Sequence, residues 1–293
     1  MSRIGMENIP ESVDGNYHKE EKEFLVLCIN TPENASKLGG DDYWTKSVKI
    51  LGYIENESGR TSSTKGSMSY TVKNNNEQDF FTKDVIYRVK GRLPKLIDGE
   101  EPWVNNEYRM SSIYVTEIIS DNEENYFLTN LLTEYNKEVS INSEVLGKLI
   151  FNKELDWYET ENNLEWCGED VEFSISPDGE NDINEFLPLA EEFYKNRQEW
   201  DRKLREFSAS QLTELANDWL EDEYYEEDDE ETEPVPEITE KDFAKRISIN
   251  SIGFDMDGNF SVYYNDDDMF WGHSIVIYGN IKTGEFESAD IIG

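Results

Sequence analysis

The chain has 293 residues, with 27 Lys and Arg against 65 Asp and Glu, a formal net charge of −38. A small domain usually carries a net charge of about 2–8, so duplex DNA, RNA and anionic lipid would repel this chain, and direct nucleic-acid or membrane-surface binding is excluded. Disorder is excluded for most of it as well, because 13% of the residues are aromatic and 37% hydrophobic, enough large rings to build a core.

Residues 1–22 are polar and aperiodic, and are expected to form a flexible arm. The opening MSRIGMENIPES has no apolar signal region, and no run approaches the ~18 apolar residues of a membrane span. From Glu23 the pattern becomes strand-like. FLVLCIN (24–30) is a buried-strand run, and KSVKILGYIE (46–55), SMSYTVK (67–73), DVIYRVKGRL (84–93) and SSIYVTEII (111–119) alternate apolar and polar residues. Between them ENESGRTSSTKG and NNNEQ are loops. This predicts an antiparallel β-rich domain over 23–139, a small barrel or sandwich, with NYFLTNLLTEYNK (125–137) as a short helix leading out of it.

An acidic α+β domain is predicted over 140–293. LGKLIFNKELDWYE (146–159) reads as strand, turn, strand, and NLEWCGEDVEFSIS (163–176) as a hairpin with Gly168 at its turn. Ile183, Phe186, Leu187, Ala190, Phe193, Tyr194, Arg197 and Trp200 then recur at helical spacing, with Asp182 as N-cap and Pro188 weakening the first turn. The helical pattern continues from Leu204 to Leu220, with a break expected at Ser208–Ser210. An acidic loop follows over 221–237, in which ten of the thirteen residues Glu221–Glu233 are carboxylates. Thr239 is an expected N-cap with Asp242 three residues on. The chain closes with four strands, turning at Asp257-Gly258, Asp266–Asp268 and Thr283-Gly284. The expected fold is therefore α+β: an N-terminal antiparallel β domain, then a C-terminal antiparallel sheet with two main helices.

Catalytic chemistry is poorly represented. There are two histidines, His18 in the arm and His273 at a strand start beside aromatics, which disfavours histidine acid–base schemes and ordinary zinc sites. With 65 carboxylates, neighbouring pairs arise by chance and do not identify a hydrolase. Asp255-Met-Asp257-Gly258-Asn259 mimics the start of a calcium loop but runs into a strand, so a hairpin turn is expected. P-loop and dinucleotide fingerprints are absent. Arg88, Lys90, Arg92 and Lys95 make one modest basic row, read as the solvated face of a sheet. Cys28 and Cys167 are expected to be buried free thiols, with a disulfide between them as the alternative, and either way fit a cytoplasmic setting. No catalytic residue, metal or cofactor is expected, and the chain is taken as non-enzymatic.

Charge is the feature left to explain. Residues 1–150 hold 17 basic and 25 acidic residues, and residues 151–293 hold 10 and 40. A compact chain of this length is ~50 Å across, and duplex DNA presents about 29 charges over that distance. A groove built for DNA would meet a comparable field here, so mimicry of DNA, recognition of a basic partner without mimicry, and plain solubility all remain open. Tyr224 and Tyr225 inside the acidic run pair interface-forming rings with steering charge. The candidate partner-binding residues are Glu221, Asp222, Glu223, Tyr224, Tyr225, Glu226, Glu227, Asp228 and Asp229, with Asp266, Asp267 and Asp268.

The combination DWYE, EWCGE, EWDRKLRE and FWGHSIVIYG in the second half resembles a bacterial and phage family, domain of unknown function 2262, over roughly 143–293. That resemblance implies no activity, cofactor or residue role. Size, the added N-terminal β domain and acidity are also similar to phage anti-defence proteins of the Gabija-inhibitor type. This second resemblance implies an inhibitor in the host bacterial cytoplasm that binds a nuclease–helicase defence complex, as a homo-oligomer in that complex, and blocks its DNA binding or cleavage. The alternative is a toxin-immunity protein or another acidic protein-binding module.

Overall fold

The computed structural model describes residues 4–5, 11–32, 35–37, 43–74, 79–96, 111–176, 183–225, 237–255 and 258–293. Two units divide the chain, Met1–Lys137 and Glu138–Gly293. They hold 16 basic against 23 acidic residues and 11 against 42, respectively.

The first unit contains β1 (Ile4–Gly5), α1 (Glu11–Asn16), β2 (Lys22–Cys28), β3 (Trp44–Glu55), β4 (Thr61–Ser62), β5 (Gly66–Val72), β6 (Ile86–Arg92), β7 (Ile113–Ser120) and α2 (Tyr126–Tyr135). Antiparallel pairs β5–β3, β3–β2, β2–β6 and β6–β7, with the parallel pair β5–β7, close a five-stranded barrel. Architecture alone assigns this barrel no ligand. Phe24, Val26 and Cys28 point inward with Val48, Ile50, Met68, Tyr70 and Val115. Leu25, Leu27 and Ile29 point outward, where α2 covers them with Leu128 and Leu131. Both faces of β2 are therefore buried, which is why its sequence is continuously apolar instead of alternating. Closure needs a close approach at Gly91, where an added Cβ would lie 2.8 Å from the Tyr114 carbonyl oxygen.

The arm expected over residues 1–22 is instead partly built into the barrel. Ile4 and Gly5 pair with β7. Helix α1 buries Val13, and Tyr17 pairs with Pro94 and lays its ring 5.7 Å from that of Tyr114. Val13 in the helix and Tyr17 just after it tie this segment to the barrel, a pattern too brief to stand out in a polar segment.

The second unit contains β8 (Ser140–Ser143), β9 (Gly147–Asn152), β10 (Trp157–Thr160), β11 (Leu164–Trp166), β12 (Glu169–Ile175), α3 (Ile183–Lys195), α4 (Arg197–Tyr225), α5 (Glu240–Arg246), β13 (Ser248–Phe254), β14 (Asn259–Asn265), β15 (Ser274–Asn280) and β16 (Glu285–Ile292). The sheet runs β16-β15-β14-β13-β12-β10-β9-β8, with β11 beside β12. It is antiparallel except at β12–β13, where the helices between these strands return the chain to start a parallel neighbour. The helices cover one face. Phe193 stacks between Trp166 (5.4 Å) and Trp200 (4.7 Å) and meets Phe254 and Phe260 from the sheet.

Two local expectations are corrected. No break occurs at Ser208–Ser210: the two hydroxyls donate back to the carbonyls of Arg205 and Phe207, and α4 runs unbroken for 29 residues. The boundary between α3 and α4 falls at Asn196 instead. Cys167 is exposed, not buried, because it shares the tight turn from β11 to β12 with Gly168, both at positive φ (54° and 100°). The expected N-cap Thr239 does accept from the Asp242 amide at 3.2 Å, whereas Asp182 lies outside the described residues.

Candidate partner-binding site

Of the predicted partner-binding carboxylates, Glu221, Asp266, Asp267 and Asp268 have described side chains, on α4 and on the loop from β14 to β15. Strand β14 ends at Asn265, and the chain returns to β15 through residues 266–273. Four residues of this loop have left-handed φ: Asp267 (51°), Asp268 (63°), Trp271 (54°) and Gly272 (82°). Glycine adopts that region freely and Asp tolerates it, whereas an aromatic residue such as Trp271 costs about 1–3 kcal/mol. Asp266 holds the loop. Its carboxylate accepts from the backbone amides of Phe270 (2.7 Å), Gly272 (3.2 Å) and Asp268 (3.3 Å).

Asp266 is therefore not the surface partner-binding residue expected from sequence. It is 4% exposed, and its oxygens are engaged by the loop's own backbone. Asp267 is exposed but shared, its carboxylate 2.7 Å from the Arg246 Nε and its carbonyl 2.8 Å from Nη2. Asp268 is exposed.

The constrained loop presents Trp271, 56% exposed. Trp219 of α4 packs beside it at 4.7 Å and also meets Phe270 and the His273 ring. His273 is fixed by a 2.6 Å contact from its Nδ1 to the Phe270 carbonyl oxygen. Through Trp219 the last turns of α4 stand against the Asp-rich loop, so two segments 40 residues apart in sequence form one corner. Sequence reasoning missed Trp219 and Trp271. The available signal was an aromatic-glycine pair inside an acidic turn, where a plain hairpin needs neither.

Glu221 is exposed on α4. The backbone of Asp222, Glu223, Tyr224 and Tyr225 continues that helix, correcting the loop expected from 221, while Glu226, Glu227, Asp228 and Asp229 lie outside the described residues. Helix C-termini carry a partial negative charge and favour cations. The last described turn of α4 has no basic residue.

A part-buried polar knot joins α4, β12 and the end of α5. Arg205 of α4 donates through Nε to Asp201 (3.0 Å), through Nη2 to Glu169 (2.5 Å), and through Nη1 to the carbonyls of Ile247 (2.5 Å) and Ala244 (3.1 Å). Trp166 Nε1 donates to Asp201, and the second Glu169 oxygen accepts from the Ile249 amide. The guanidinium lies 5.5 Å from the Tyr264 ring centroid, and burial pushes the Tyr264 phenol well above its ordinary pKa. EWCGE supplies Trp166 and Glu169, and EWDRKLRE supplies Asp201 and Arg205, so two separated words in the sequence meet in one network.

Residues 143–291, just over half of the chain, match the model of a family described as an uncharacterized protein conserved in bacteria, DUF2262. The chain belongs to the DUF2262 family. In this DUF2262 chain, residues 11–135 also match a model described as domain of unknown function DUF7021. No curated protein and no solved structure matches the chain.

The basic row on β6 offers no phosphate-binding stripe. Arg88 pairs with Glu23 (2.8 Å) and Glu123 (3.0 Å), Lys90 with Glu117 (3.2 Å), and Arg92 with Glu21 (3.8 Å). Lys95 donates to the Gly15 carbonyl. Among the described residues no group of three or more His, Cys, Asp or Glu is arranged to hold a metal ion, and no helix is long and apolar enough to cross a membrane.

Proposed function

We propose that this chain is a non-enzymatic inhibitor that binds a basic, DNA-processing protein complex and keeps DNA out of it, the target being a bacterial defence nuclease–helicase of the Gabija type. The observation that carries the reading is the acidic–aromatic corner. An exposed tryptophan is held at positive φ on a loop with the exposed carboxylates of Asp267 and Asp268, against a helix that carries the exposed Glu221. Violations of local preference of this kind concentrate where a surface is used. Trp is the residue type most enriched among interface hot spots, and surrounding carboxylates steer a cationic partner and occupy its phosphate contacts.

The test is co-precipitation with the reconstituted nuclease–helicase complex, with DNA cleavage as readout. Wild-type chain lowers cleavage, and the effect weakens as salt rises. Trp271→Ala weakens inhibition at least tenfold, in the range of a hot-spot truncation of about 2 kcal/mol, and Glu221→Gln with Asp268→Asn flattens the salt dependence. Unchanged inhibition by both variants removes the corner as the contact. Wild-type chain that neither binds nor inhibits the complex sinks the choice of target.

A further inference from the structure

The face of the second sheet turned away from the helices holds a different site. Strand alternation sends Phe173, Ile252, Phe254, Val262 and Ile277 into the helix-covered core and their neighbours to the other side. There the register aligns Glu159, Ser174, Gly253, Ser261 and Tyr278 across five adjacent strands, a span of about 19 Å at ~4.8 Å per strand. The middle three are small, so the face is hollow at its centre. At Gly253 an added Cβ would lie 3.1 Å from the Ser261 hydroxyl. The hollow is a trough of about 800 Å³, walled by Trp157 on one side and by Tyr263 and Tyr278 on the other.

Its charge is one-sided. Glu159, Glu172 and Glu287 line the trough, and none of its described lining residues is Lys or Arg. Trp157 is pre-set, its indole Nε1 donating to Glu159 at 3.1 Å, and Tyr278 remains exposed. An apolar helix would strand the floor hydroxyls and rim carboxylates. A second copy of this acidic chain would meet like charge. The chemistry that fits is a planar cation, which stacks on aromatic faces while its N–H groups reach carboxylates.

We infer that this trough binds an extended, arginine-bearing segment of a partner protein, its guanidinium groups stacked on Trp157 and Tyr278 and paired with Glu159, Glu172 and Glu287. The site lies on a different face from the Trp271 corner and does not depend on the inhibitor reading.

The test measures fluorescence anisotropy of a labelled octapeptide of alternating arginine and serine, with the lysine–serine octapeptide of equal charge as control, on the full chain. The arginine peptide binds about tenfold tighter than the lysine peptide, because only the guanidinium stacks. Trp157→Leu with Tyr278→Ser, which leaves the net charge untouched, abolishes that preference. Ser261→Lys, which puts a cation on the floor, weakens both peptides. Each variant is compared at an unchanged urea midpoint, so that loss of fold is not read as loss of binding. The corner variant Trp271→Ala with Asp268→Asn leaves the preference intact. Equal affinity for the two peptides, or a preference that survives Trp157→Leu with Tyr278→Ser, reduces the effect to general acidity and overturns the inference. Displacement of the arginine peptide by a neutral oligosaccharide overturns the cationic assignment.

Discussion

Replacing Arg205 by Met tests whether the knot holds the α4 side of the second unit in place. Methionine keeps the length and the apolar stem but removes every donor. Asp201 and Glu169 are left facing one another's environment without their cation, and two backbone carbonyls lose their partner. Breaking a fully buried pair costs about 3–5 kcal/mol. Here Asp201 is 16% exposed and Glu169 32%, so water recovers part of that, and the expected loss is about 2–4 kcal/mol. For a unit of this size that corresponds to a fall in Tm of about 5–15 °C. Arg205→Lys recovers only part, because an ammonium cannot span four acceptors in a planar fork. Urea denaturation followed by tryptophan fluorescence reads it well, since five of the seven tryptophans belong to residues 138–293. The loss should appear in the transition reported by the tryptophans of residues 138–293. A Glu169→Gln and Arg205→Met cycle should couple by more than about 1 kcal/mol. A loss under about 1 kcal/mol, or additive single effects, would refute the reasoning.

Asp266→Ala strips three backbone amides of their acceptor and should cost about 2–4 kcal/mol, with the Trp271 indole resonance losing its fixed position in NMR spectra. Trp271→Gly relieves the positive φ at that position, so it should leave the urea midpoint unchanged or higher while abolishing inhibition; a large destabilisation would show that Trp271 is packing, not presented. Arg88 holds Glu123 and Glu23 below the usual carboxylate range through direct hydrogen bonds. That stabilisation is complete above the unfolded carboxylate pKa of about 4.3 and is lost as pH falls through the lowered values. Arg88→Met should therefore weaken the barrel at pH 7 and match wild type near pH 2, and a gap that persists in acid would count against the pairing. A thiol reagent should label one cysteine in the native chain, Cys167, and Cys28 only after unfolding. Partial desolvation by its neighbours raises the Cys167 thiol above its ordinary value, with Asp201 adding to it, so labelling should speed up as pH rises into the alkaline range; two fast native thiols would contradict the buried Cys28.

The sequence by itself determined what local chemistry determines. Alternation placed β3, β5, β6 and β7, the Thr239 cap placed α5, and charge counting located the excess carboxylate in the second half. Those signals depend on neighbours within a few residues. It also marked residues 221–229 and 266–268 as one class of group, and could not tell them apart. Only the tertiary structure separated Asp266, turned inward to hold a loop, from Asp268, left in water, because burial depends on what packs above a residue and not on its type. Seryl hydroxyls that read as a helix break became self-satisfied inside α4 once Ala209 and Leu212 had a sheet to bury against. Tertiary structure likewise closed the barrel, brought EWCGE and EWDRKLRE into one knot, set Trp219 beside Trp271, and lined up Ser174, Gly253 and Ser261 across three strands. Each of these joins residues far apart in the chain, and register and packing, which no local pattern encodes, decide which of them meet.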